Sequence, residues 1–279
     1  MSGKQRSLTV QPVTAGRIEV HGVMKTYALP QADRHVALLD VSLSVRPGAF
    51  TCIVGASGCG KSTLLFLLGG LLKPDRGTVD ITGLHPPAVL DVRSPKVGMV
   101  FQDPRLLPWK TVRANVSFAL HDWPHDAAQE RVTEVLELVG LGHVGDRFPN
   151  QLSGGMQQRV AIARALAVNP GVLLMDEPFS ALDEMTARRL RMELLSLWDE
   201  FQTTVVFVTH NALEASYLAD RILVMKARTI ETEIEVRLTR PRVYEDPALF
   251  SVYRTVVNAL GEIERVEADG AKKKTQPGV

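Results

Sequence analysis

The shortages in this chain of 279 residues narrow its class before any motif is considered. There are only two cysteines, Cys52 and Cys59. They flank a glycine-rich stretch, supply neither a disulfide framework nor a metal cluster, and suit a reducing compartment. Charge of one sign is scarce as well. With 32 basic against 31 acidic residues the net charge is +1, so no basic footprint points to nucleic acid or to an anionic membrane as a partner. Long apolar runs are missing. The longest, LLFLLGGLL at 64–72, is about half of the roughly 20 residues that a membrane-spanning helix needs. The opening MSGKQRSLTVQPVT is polar and lacks the apolar centre of a secretory signal, and no internal repeat is visible. What remains is a globular composition, 45% hydrophobic and 23% charged, in a chain long enough for one large domain or two ordinary ones.

The order of patterns is that of an α/β protein. RIEVHGV and LLDVSLSV alternate as strands, the second ending at Pro47-Gly48, and FTCIVG is a buried strand that runs into glycines. KSTLLFLLGGLL follows as a helix, and TVDITG and VGMVF are short β-type runs on either side of the Pro-rich LHPPAVL. Between 103 and 168 the character changes. Val132, Val135, Leu136 and Val139 recur at helical spacing and mark an inserted helical subdomain. Strands VLLMD, TTVVFVTH and RILVM then alternate with helices EMTARRLRMELLSLWDEF and ALEASYLA, which argues for a mostly parallel sheet covered by helices. Ile230, Ile234, Val236 and Leu238 alternate with charged residues as an antiparallel or edge strand would. Residues 1–15 and the tail 266–279 read as disordered, leaving 16–265 as the folded domain.

Three stretches carry chemistry. GASGCGKST matches G-x-x-x-x-G-K-[ST] from Gly55 to Ser62, after a strand and before a helix. Backbone N–H groups of Gly55, Ala56, Ser57, Gly58, Cys59 and Gly60, with the helix N-terminus, form a cradle for phosphate. Lys61 reaches the β- and γ-phosphates, Ser62 offers a hydroxyl to Mg²⁺, and Thr63 adds an α-phosphate contact. Second, Asp176 and Glu177 end a buried strand at the sheet edge where ligands bind in α/β folds. Asp176 suits the Mg²⁺ shell and Glu177 the removal of a proton from an attacking water. A GTPase would use one acid here, so the second favours ATP hydrolysis. Third, LSGGMQQR opens another helix on Ser153, Gly154 and Gly155: a good N-cap followed by two residues that allow close backbone approach. By itself it is equally a well-capped helix.

With these three in order, residues 17–265 resemble the nucleotide-binding subunit of ATP-binding cassette (ABC) transporters, whose signature motif LSGGMQQR is similar to. The resemblance implies a P-loop NTPase core, mixed and mostly parallel, with an N-terminal antiparallel β part and an inserted helical subdomain at about 103–168. It further implies that Tyr27 stacks on adenine and that Gln102 links core to helical subdomain and joins Ser62 and Asp176 around Mg²⁺. Ser180 to Asp183 match the D-loop, and His210 matches the switch histidine that contacts the γ-phosphate. A homodimer follows by the same resemblance. Two ATP molecules lie between head-to-tail cassettes, each touched by Lys61 of one chain and Ser153-Gly154-Gly155 of the other. The implied catalytic set is Glu177, His210, Lys61 and Gln102.

A chain of this family without a membrane span hands its motion to a separate permease. The resemblance places it peripherally on the cytoplasmic face of the inner membrane, with a substrate-binding protein as an indirect partner. Pro108-Trp109 followed by Asn115-Val116, and RPR at 240–242, resemble the branch that imports nitrate, sulfonate, taurine and similar anions. Two positions depart from the family pattern: Asn211 stands where importers usually carry an acid, and Ala56 where a proline is common. Two other classes remain open at this point. One is a soluble cassette acting on DNA or ribosomes, against which stand the near-neutral charge and the absence of a long coiled-coil insertion. The other is an ATP clamp without turnover, against which stand Glu177 and His210.

Overall fold

The computed structural model of the protein describes residues 15–28, 34–82 and 97–274, with side chains described as far as 261. The expected disordered N-terminus and the Pro-rich LHPPAVL lie outside the described residues, apart from residue 15. In chain order the elements are β1 (Ile18–Ala28), β2 (Arg34–Val45), β3 (Phe50–Val54), α1 (Lys61–Leu68), β4 (Arg76–Ile81) and β5 (Val97–Val100). Next come the helices α2 (Val112–Ser117), α3 (His125–Leu138) and α4 (Gly154–Ala167). They are followed by β6 (Val172–Asp176), α5 (Glu184–Phe201), β7 (Thr204–Thr209), α6 (Ala212–Leu218), β8 (Arg221–Lys226), β9 (Thr229–Glu235) and α7 (Pro247–Lys274).

Six strands form one sheet in the order β5-β6-β7-β3-β8-β9, and β2-β1-β4 form a second, antiparallel one. In the first sheet every pairing is parallel except β8–β9, where β9 closes the edge antiparallel. The central strands β3, β6 and β7 are buried at every position, which is why they read as unbroken apolar runs: a parallel strand covered on both faces has no polar side. Alternate residues nevertheless serve different cores. Phe50, Cys52, Val54, Leu173, Met175, Val205 and Phe207 face the cluster built with α2–α6. Ile53, Val172, Leu174, Val206 and Val208 face the one shared with α1 and the antiparallel sheet. The two-residue period of the strand thus welds three layers together.

The helical insertion is as expected, with α2, α3 and α4 packed through Val116, Val132, Val135, Leu136 and Val160, all fully buried. α7 continues through the stretch from 266 to Lys274, where Glu, Ala and Lys are strong helix formers; 275–279 lie outside the described residues. Among the described residues no helix is long and apolar enough to cross a membrane.

Candidate nucleotide site

Four loops leave the same edge of the sheet because four neighbouring strands run parallel. Val54 pairs with Thr209, Asp176 with Val208, and Val100 with Met175. The glycine loop after β3, the acidic pair after β6, His210 after β7 and Gln102 after β5 therefore emerge side by side, although 155 positions separate Gly55 from His210 in the chain.

The glycine loop has steric reasons for its glycines. Gly60, the N-cap of α1, has φ +107°, and a Cβ there would lie 2.4 Å from the Ala37 carbonyl oxygen. A Cβ on Gly55 would come within 2.4 Å of the Met225 oxygen and 2.8 Å of Cys59 Sγ. Gly58 also has positive φ, +77°, but open space around it. Lys61 is buried and its Nζ donates to Gly55 O at 2.8 Å and Ala56 O at 2.9 Å, so the ammonium already lies across the loop it serves. Ala56 also accepts from Cys59 N at 3.3 Å through this carbonyl, a role that the missing proline does not affect. Tyr27, at the end of β1, has its hydroxyl 3.4 Å from Thr63 Oγ1 and its ring partly exposed.

Beside the loop, Ser62 Oγ donates to Asp176 Oδ1 at 3.0 Å. Burial raises the Asp176 pKa and the nearby Glu177 carboxylate adds to the rise, while the Ser62 hydrogen bond opposes it. A hydroxyl and a desolvated carboxylate in contact, next to a phosphate cradle, are the hard oxygen donors that suit Mg²⁺ with phosphate oxygens completing its shell. Glu177 has φ +43°, a left-handed turn that costs a non-glycine residue roughly 1–2 kcal/mol. Such a turn persists only where the surroundings hold it. Here Glu177 N donates to Val208 O at 2.9 Å, and the side chain meets His210: Oε2 lies 2.8 Å from Nδ1.

Gln102 Nε2 donates to Ser180 Oγ at 3.1 Å, and Ser180 Oγ donates to Glu177 O at 3.0 Å. The loop after β5 is thereby tied to the turn that carries the acid. Two further side chains, which sequence patterns did not single out, hold that loop against α4. Buried Gln158 donates to Phe101 O at 3.4 Å, and Arg164 donates to Pro104 O at 2.8 Å and Arg105 O at 2.9 Å. A glutamine three positions past a glycine pair reads as ordinary helix surface, and only the packing reveals its target.

The glycine-rich helix start makes its contacts elsewhere in its own chain. Ser153 caps α4, its Oγ accepting from Met156 N at 3.4 Å. A Cβ on Gly154 would touch Leu182, and one on Gly155 would lie 2.9 Å from Thr186 Cγ2 at the start of α5. Asp183 caps α5 by accepting from Thr186 N at 3.0 Å, and that bond holds its carboxyl below the usual range. Asn211 caps α6, Oδ1 accepting from Leu213 N at 3.0 Å and Glu214 N at 3.1 Å. Asparagine and aspartate serve equally in that role, so the departure from an acid leaves the helix start intact.

A phosphate loop, a serine–aspartate pair and a strand-end acid on one edge of a parallel sheet define a P-loop NTPase. The chain belongs to the ABC transporter family. The sequence profile of that family, described as ABC transporter, matches residues 38–180. The chain is 44% identical over 250 residues to the nitrate import ATP-binding protein NrtD of Synechococcus elongatus, covering 86% of this chain and 89% of that one. It is 42% identical to the aliphatic sulfonates import ATP-binding protein SsuB 2 of Burkholderia lata, with 85% of each covered. To the bicarbonate transport ATP-binding protein CmpC of Synechocystis it is 39% identical, and there it spans 40% of the relative's length. Among solved structures, the dimeric bacterial ABC transporter cassette MJ0796 superposes with a TM-score of 0.71 at 37% identity, covering 80% of this chain and all of that one.

Proposed function

We propose that this chain is the ATP-hydrolysing subunit of an importer, dimerising around two ATP molecules and driving a separate membrane permease for a small anion such as nitrate, a sulfonate or taurine. The observation that carries the ATPase reading is the contact between Glu177 and His210 beside the Ser62–Asp176 pair. In this reading Lys61 and the loop amides hold the β- and γ-phosphates, and Tyr27 lies against the adenine. Glu177 orients and deprotonates the attacking water, while His210 holds Glu177 and faces the γ-phosphate. Ser62, Asp176 and Gln102 would hold Mg²⁺, which would supply positive charge against the phosphates. Ser153, Gly154 and Gly155 present a helix N-terminus to the partner's nucleotide, where amides and helix dipole favour an anion, and Asp183 follows the D-loop at the same interface. Hydrolysis removes the bridge between the two chains, and the γ-phosphate thereby biases a two-state clamp.

The anion class is supported by relatives whose names are those of nitrate, sulfonate and bicarbonate import or transport proteins. The permease reading assigns the exposed side chains of Trp109, Phe118 and Phe148, all within the helical subdomain, to the docking contact. The test is to purify the chain from its host membranes with what it binds, and to reconstitute the complex. ATP turnover stimulated by nitrate, an alkanesulfonate or taurine on the outer face supports the reading. Copurification with ribosomes or DNA-repair proteins and with no polytopic membrane protein overturns it.

A further inference from the structure

His210 is largely exposed on its side chain, yet the residues on either side of it are fixed from below. Thr209 is buried; its Oγ1 donates to Glu214 Oε2 and accepts from Asn211 N at 3.0 Å. Asn211 in turn accepts from Glu214 N. Both neighbours of His210 therefore bind Glu214 in the first turn of α6, Thr209 through its buried carboxylate and Asn211 through its backbone N–H. The other oxygen of that carboxylate, Oε1, accepts from Arg191 Nε at 3.1 Å.

Arg191 comes from the middle of α5 and is only 2% exposed. Its remaining N–H groups donate to Glu184 Oε1 and Oε2 at 2.9 and 3.1 Å and to Tyr244 Oη at 3.0 Å. Glu184 directly follows Asp183, so one guanidinium spans from the D-loop end of α5 to the base of the switch histidine. A cavity of about 110 Å³ lies beside these groups, and Glu177, Ser180, Glu184, Arg191, His210 and Glu214 all line it. The contact between Glu177 and His210 and the ion pair beneath it share one small space.

We infer that Arg191 is a positioning residue for hydrolysis: through its buried pair with Glu214 it sets the place of His210, and through Glu184 it links that place to the D-loop. The alternative is a core ion pair with no bearing on the reaction, and apolar replacement of such pairs is often harmless. The inference rests on the reading of His210 as the residue that faces the γ-phosphate. The fork geometry explains why arginine is used, since a lysine ammonium cannot hold both Glu184 oxygens and Glu214 in one plane.

The experiment is steady-state ATP hydrolysis by the full chain with separate titration of ATP binding. The variants are His210→Ala, the paired Arg191→Met with Glu214→Gln, which leaves no buried charge alone, the triple combination, and Arg191→Lys. The paired variant is expected to lose about tenfold or more in kcat, with KM and the ATP Kd within about twofold, which is the pattern of an interaction made only in the transition state. Adding His210→Ala to it should cost at most about twofold beyond His210→Ala alone, because the two act as a unit. Arg191→Lys should keep more turnover than the paired variant and less than wild type. Unchanged kcat in the paired variant, or losses that multiply in the triple, would overturn the positioning role while leaving His210 in place. Wild-type turnover by His210→Ala would instead remove the reading of His210, and the inference with it. If the paired variant fails to fold, Arg191→Lys carries the same test alone: reduced kcat at constant KM supports the role, and wild-type kcat refutes it.

Discussion

Glu177 Oε2 and His210 Nδ1 lie 2.8 Å apart, joining the ends of two adjacent parallel strands, β6 and β7, on the sheet edge that also carries the phosphate loop. With its proton on Nδ1 the imidazole donates to the carboxylate and keeps Nε2 for a ligand. In the proposed reading Glu177 is the general base, and a base so positioned contributes roughly 10²–10⁴-fold to rate. Glu177→Gln should therefore lose about that factor in single-turnover hydrolysis while ATP affinity stays within about threefold. Wild-type turnover in Glu177→Gln would mean that another group takes the proton.

Most of this site is legible from residue types because its backbone geometry has local causes. GASGCGKST sits between an apolar run and a helix, and MDE ends a run that must be fully buried, so the strand–loop–helix edge follows from order alone. What could not be read is what each side chain touches across the sheet. Gln158 and Arg164 look like helix surface, yet they bind the carbonyls of the loop after β5. Arg191 and Glu214, 23 residues apart, look like solvated charges on amphipathic helices and are buried against each other. Their pairing depends on how α5 and α6 lie against β7, and no period in the sequence encodes that distance.

The loop glycines are not equivalent. At Gly58 an added methyl meets nothing within 4 Å, so Gly58→Ala should cost only the left-handed backbone, roughly 1–2 kcal/mol. At Gly60 the same methyl adds a contact of 2.4 Å with the Ala37 carbonyl, a backbone atom that cannot rotate away. Gly60→Ala should thus be clearly less stable than Gly58→Ala in urea unfolding and bind ATP more weakly. Equal stability of the two would show that β2 moves to admit the methyl.

Asp75 should make stability depend on acid. Its carboxylate accepts from Lys25 Nζ at 2.9 Å and from Thr26 N and Oγ1, each at 2.7 Å. The Lys25 and Thr26 hydrogen bonds lower its pKa from 3.8 to about 2. An acid lowered on folding binds fewer protons in the folded state than in the unfolded one. Its contribution is therefore complete above the unfolded value and disappears as pH falls from 3.8 towards 2. Asp75→Asn should lower the urea midpoint at pH 7, and the gap to wild type should close across that acid window. A gap that does not change with pH would locate the loss in packing and not in the charge.

Gly155 offers a way to separate a chain's own packing from its contact with a partner. A Cβ there would lie 2.9 Å from Thr186 Cγ2, so Gly155→Ala crowds the start of α5, and overpacking of this kind costs typically about 1–3 kcal/mol. Thr186→Ser removes the offending methyl and keeps the hydroxyl and the backbone N–H that Asp183 accepts. In the double variant the melting temperature lost in Gly155→Ala should return to near that of Thr186→Ser alone. Under the proposed dimer the glycine also faces the partner's nucleotide, so ATP-dependent dimerisation, followed by light scattering in a Glu177→Gln background, should stay weak. Full recovery of both would assign the glycine to the α4–α5 contact alone and leave the helix start without a role at the partner's phosphate.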